Sequence, residues 1–174
     1  MSNAKKVKDV MVKITDYPHI PYWLSVRDAI SMIHSTYGET PGTKEPPTVL
    51  VFDEKYQLQG MLTVHNLLMG IEPRFLRKDE KSPYQGIDCD DPASLSVLAE
   101  GTFSEKCKEE SRKPVSEVMT RIKAEVDANA SVSKAAFIML HAGVDLIPVM
   151  DGKKIAGVLR ISDVFIELTG IVLD

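Results

Sequence analysis

The chain is 174 residues long, enough for one ordinary domain or two small ones, and its 44% hydrophobic and 26% charged residues are the mix of a folded globular protein. A net charge of -4 argues against a nucleic-acid partner, which would ask for a lysine- and arginine-rich face. No apolar run reaches the ~18 residues that cross a bilayer, and the polar amino terminus has no signal core behind it, so no membrane insertion and a cytoplasmic location are expected. Cys89 and Cys107 lack CxxC or histidine spacing and read as free thiols, and Ser2-Asn3-Ala4 reads as an expression remnant.

In chain order, Val7-Lys8-Asp9-Val10-Met11 reads as one helical turn with Val, Val and Met to anchor it, followed by a β-branched run over Val12 to Thr15. Ser25 is placed as an N-cap for a helix whose apolar positions are Val26, Ala29, Ile30 and Ile33. Residues 38 to 47, rich in Gly and Pro, are expected to be a surface loop. The apolar run from Thr48 to Asp53 reads as a buried strand, Gln59 to Thr63 as its returning partner, and Asn66-Leu67-Leu68 as a second short helix.

Residues 72 to 114 have a different character: charged and Pro/Gly-bearing to Pro92, then a helix with Leu95, Leu98, Thr102, Phe103 and Cys107 on one face. Gly101 weakens that helix by about 1 kcal/mol relative to alanine. The charged stretch from Glu105 to Lys113 reads as its solvated end, and the whole insertion is expected to pack on the module or on a second subunit.

From residue 115 the pattern starts again. Val115-Ser116-Glu117-Val118-Met119 repeats the opening, Ile122 to Val126 the β-branched run, and Ser131 the cap. Val132, Ala135, Ala136, Met139 and Leu140 mark the first helix. Leu146 to Asp151 and Ala156 to Arg160 are the strand pair, and Asp163-Val164-Phe165 opens the second helix. Each copy is therefore β-α-β-β-α.

The two openings, the Leu-Ile-Pro-Val-Met-Asp strand and the Gly-x-x-Thr-x-x-Asp type ending, in order and twice, resemble the CBS domain, the module named after cystathionine β-synthase. The resemblance covers residues 7–71 and 115–170, with 72–114 as an inter-domain insertion. It implies an α/β (α+β) fold in which two CBS domains pack through their sheets as a pseudo-two-fold Bateman module. It further implies a homodimer, for which helix faces carrying Ile30, Ile33, Phe137 and Leu140 are candidate contact surfaces.

In that family the ending motif implies binding of AMP, ADP or ATP, the hydroxyl and carboxylate meeting the ribose while the preceding strand holds the adenine. A carboxylate accepts two hydrogen bonds at once, which suits a diol. The second copy keeps the acid as Asp163 beside Ser162, but has Arg160 in place of the hydroxyl. Arg160 either reaches the phosphates or pairs with Asp163, and Asp163 is either the ribose acceptor or an N-cap. The first copy keeps Thr63 but has Asn66 in place of the acid, with His65 between them as a phosphate contact or a plain surface residue. Ile147, Pro148, Thr120 and Ile122 complete the candidate set by resemblance. Arg121, Lys123, Lys153 and Lys154 flank the second copy's motifs.

No phosphate loop, nucleophile elbow, metal-ligand spacing or carboxylate dyad is present, so neither an enzyme nor a metal site is expected. The functional expectation is a regulatory adenine-nucleotide sensor that acts on an unidentified partner by conformational change. The alternatives are S-adenosylmethionine as ligand, or a structural dimerisation module with no ligand.

Overall fold

The computed structural model describes residues 5–37, 48–74 and 101–173. In chain order their elements are α1 (Val7–Val10), β1 (Val12–Lys13), β2 (His19–Pro21), α2 (Val26–Tyr37), β3 (Val49–Phe52), β4 (Leu58–Leu62), α3 (Val64–Ile71), α4 (Gly101–Glu110), β5 (Thr120–Arg121), β6 (Val126–Asp127), α5 (Val132–Ala142), β7 (Leu146–Asp151), β8 (Lys154–Arg160) and α6 (Ile161–Leu173). The fold is mixed α/β. Two compact units are drawn from Met1–Pro21, Thr48–Met61 and Thr120–Asp174, and from Tyr22–Pro47 and Leu62–Met119.

The first unit carries two four-stranded sheets, in the orders β1-β8-β7-β6 and β2-β3-β4-β5. Alternation along the central strands explains why they read as unbroken apolar runs: both faces are covered. Ile147, Val149 and Leu159 face one way, into a core with Val132, Ala135, Ala136 and Met139 of α5 and Val164 of α6. Leu146 and Val158 face the other way, into a cluster with Leu50, Phe52 and Met61 of the second sheet and with Tyr17. Each fully buried Val, Leu or Ile contributes roughly 1.5–3 kcal/mol.

The openings of the two repeats are exchanged. β1 pairs antiparallel with β8 of the second copy, Val12 opposite Val158 and Lys13 opposite Gly157, although it belongs to the first copy. β5 pairs antiparallel with β4 of the first copy, Gly60 opposite Arg121 and Met61 opposite Thr120, although it belongs to the second. The opening helical turns follow their strands. The Val7 and Lys8 amides donate to the carbonyls of Ala130 and Ala128, both at 2.9 Å, and fully buried Val7 joins the core beneath α5. In the second unit the Val115 amide donates to the Leu24 carbonyl at 2.8 Å and Ser116 to Tyr22 at 3.2 Å.

Each β-branched run is split where the sequence suggests one strand. Of Val12 to Thr15 only Val12–Lys13 is extended, and Ile14–Asp16 forms a 3-10 turn. Of Ile122 to Val126 only Val126 enters a strand. The strand parallel to β3 is instead His19–Pro21, between two prolines that mask its signal; proline is tolerated there because β2 is an edge strand.

Ser25 and Ser131 cap α2 and α5 as expected, accepting from the amides of Asp28 at 3.0 Å and Lys134 at 3.2 Å. In the second unit α2, α3 and α4 come together with Val26, Ala29, Leu67 and Val115 buried. Phe103 and Cys107 are half-buried on α4; Leu95, Leu98, Cys89 and residues 38–47 lie outside the described residues. The stretch from Glu105 to Lys113 is not a solvated end throughout. The Val26 and Arg27 amides donate to the carbonyls of Lys113 and Ser111, drawing it onto the start of α2. Ser111 is buried, and the Lys113–Glu110 ion pair, 2.6 Å long, is only 15% and 13% exposed.

Candidate functional site

Both Gly-x-x-x-x-x-Asn/Asp endings are corners where a returning strand becomes a helix. At the first, β4 stops at Leu62 and Thr63 takes extended angles to cap α3. The Asn66 side-chain oxygen accepts from the Thr63 amide at 2.9 Å and the Thr63 hydroxyl at 2.8 Å, while the Asn66 amide donates back to Thr63 Oγ1 at 3.1 Å. This is a capping box: Thr63 and Asn66 satisfy backbone donors that the helix start would leave open. His65 is exposed beside it.

At the second corner, Arg160 ends β8 and the Ile161 amide donates to the Asp145 carbonyl at 2.8 Å. Asp163 is the third residue of α6, not its N-cap. Both its oxygens accept from one guanidinium, Oδ2 from Arg160 Nε and Oδ1 from Nη2, each at 2.7 Å. The carboxylate is 14% exposed and the arginine 48%. The hydrogen bond to Asp163 raises the arginine pKa; burial works against it, and the Asp163 and Tyr17 charges add to it. Of the two roles open to Arg160, pairing with Asp163 is the one formed. Ser162 is exposed.

Ile147 and Pro148 lie on the adjacent strand, Ile147 opposite Leu159 and Pro148 opposite Val158. Both are buried, Ile147 in the core beneath α5 and α6. Thr120 goes elsewhere, because β5 belongs to the other sheet and sets it opposite Met61; Ile122 packs on the cluster that includes Leu146 and Val158. The exchange also brings β1 alongside β8 and sets buried Tyr17 near enough to Arg160 to bear on it electrostatically. Nothing in the repeat pattern marks Tyr17, since it stands among first-copy residues. Arg121, Lys123, Lys153 and Lys154 are exposed. Among the described residues no group of three His, Cys, Asp or Glu is placed to hold a metal, and no helix is long and apolar enough to cross a membrane.

A model of the CBS domain matches residues 115–170. Similar solved structures span the whole chain. The CBS-pair protein CBSX2 of Arabidopsis thaliana is 18% identical with a TM-score of 0.63, covering 99% of each chain. A CBS domain-containing protein of Kribbella flavida is 15% identical with a TM-score of 0.67, over 95% of this chain and 98% of its own. The chain has the CBS-pair fold, with the match to the CBS-domain model in its second repeat. CBSX2 has also been solved in complex with AMP, at 18% identity and a TM-score of 0.60 over 96% and 98% of the two chains. No curated protein matches by sequence. The capping box and the Arg160–Asp163 pair stand at equivalent positions of the two sequence repeats.

Proposed function

We propose that this CBS pair is a regulatory module that binds an adenine nucleotide at its second corner. The observation that carries the reading is Asp163, a mostly buried carboxylate whose two oxygens accept from an exposed side chain. The nucleotide draws Arg160 onto its phosphates, a group a guanidinium grips in bidentate fashion, and the ribose hydroxyls take the vacated carboxylate. Charge stays paired throughout the exchange, so no ion is left stranded in a half-buried site. AMP bound to a CBS pair of the same fold supports the ligand class. Binding shifts the corner between β8 and α6 and thereby the surface offered to a regulated partner.

The module acts as a homodimer rather than as an enzyme. Phe137 and Leu140 on α5 are 62% and 74% exposed, and Phe165 and Ile166 on α6 are similarly bare, an apolar face of the kind a second copy covers. That face also favours the second reading, a dimerisation module without ligand. Denaturing extraction of purified protein, followed by calorimetric titration with AMP, ADP, ATP and S-adenosylmethionine, separates the two. Saturable binding of one adenine nucleotide supports the sensor. Absence of extracted ligand, heat and thermal shift at millimolar concentrations of all four leaves dimerisation alone.

A further inference from the structure

The second unit contains a cavity that neither corner uses. It has a volume of about 440 Å³ and is lined by Arg27 and Ile30 of α2, Ile71 of α3, Cys107 and Lys108 of α4, and Ser111. That is within the size range of small-molecule pockets. Its walls are apolar. Ile30 and Ile71 supply branched carbons, and burial pushes the Cys107 thiol up, keeping it neutral and hydrophobic in character. The hydroxyl of buried Ser111 is already committed, donating to the Lys108 carbonyl at 2.8 Å.

Among the described residues that line it, the charged ones are Arg27 and Lys108. Glu109 is paired with Lys106 at 2.8 Å, and Glu110 with Lys113 at 2.6 Å and Arg74 at 3.2 Å. Asp28, next to Arg27, accepts from the Ser25 hydroxyl at 2.6 Å. Among the described residues the side chains of Arg27 and Lys108 are left without an acidic partner, both exposed beside an apolar hollow.

We infer that this cavity is a second ligand site, separate from the nucleotide corner, for a small amphipathic carboxylate: its apolar body lies against Ile30, Ile71 and Cys107, and its carboxylate meets Arg27 and Lys108. Two cations without a phosphate-cradling loop suit a single carboxylate, and the apolar walls exclude a fully hydrated anion such as acetate. Because α4 comes from the segment between the repeats, the site gives that insertion a binding role.

Cys107 is a built-in reporter. In the full-length chain carrying Cys89→Ser, alkylation of Cys107 by iodoacetamide is followed by mass spectrometry with octanoate, octan-1-ol or acetate as the probe. Octanoate is expected to slow alkylation saturably, roughly tenfold at about ten times its dissociation constant, while octanol and acetate at equal concentration protect little. Arg27→Gln with Lys108→Gln raises the half-protecting octanoate concentration by roughly tenfold. Both side chains are exposed, so the double variant should melt as the parent does; if it does not fold, octanoate against octanol still decides. Lack of protection by octanoate, equal protection by octanol, or protection unchanged in a folded double variant overturns the inference. Nucleotide titrations do not enter, so the site stands or falls apart from the proposed sensor.

Discussion

The first corner closes with a neutral capping box and the second with an ion pair, and the two differ in what holds them. Thr63 and Asn66 are bonded to each other's backbone amides, so a ligand that takes either side chain also uncaps α3. Arg160 and Asp163 are bonded through side chains, so that pair can part while α6 keeps the Ile161–Asp145 backbone bond. One corner is tied through backbone amides, and the other through side chains alone, where the proposed reading puts the phosphate.

Substitutions in the scaffold are expected to cost most and those at the second corner least. Gly157→Ala is the most damaging, because a Cβ there runs into the Val12 carbonyl, and β1 must leave β8. A loss of about 2–4 kcal/mol is expected in chemical denaturation. Val7→Ala follows at about 1.5 kcal/mol for two buried carbons. Its signature is loss of amide hydrogen-exchange protection in α5 of the second copy, although Val7 belongs to the first repeat; loss confined to α2 contradicts the exchanged openings. Thr63→Ala removes the cap of α3 and costs about 1 kcal/mol, with AMP affinity unchanged. Arg160→Ala changes stability least, by about 0.5 kcal/mol, as a partly exposed ion pair should. Its effect lies in selectivity: adenosine binds better to the variant, with Asp163 unblocked, whereas AMP loses its phosphate partner and binds less well.

The sequence made much of this readable. Repetition of Val-x-x-Val-Met and of the apolar strand pairs was enough to pair β3 with β4 and β7 with β8, and Ser25 and Ser131 announced two helix starts through their capping chemistry. What it hid was exchange. Val7 and Val115 look alike, and nothing local says that Val7 is buried under the other copy's α5, because docking of an opening turn is a long-range choice. For the same reason the pairing of Thr120 with Met61 of the first copy is not legible, while Ile122 packs on a cluster that includes Leu146 and Val158 of the second. β2 escaped because Pro18 and Pro21 mask a strand whose pairing is visible only once β3 is beside it. At the corners the residue types were legible, whereas the bidentate closure of Arg160 on Asp163 is a matter of rotamers.

The central claim is that the second corner, through Asp163, holds the nucleotide. Calorimetric titration of AMP into the parent chain, Asp163→Ala and Asn66→Ala tests it most directly. The account predicts saturable binding to the parent, its loss in Asp163→Ala, and its retention in a folded Asn66→Ala. Binding that survives in Asp163→Ala, or that vanishes only in Asn66→Ala, would contradict it.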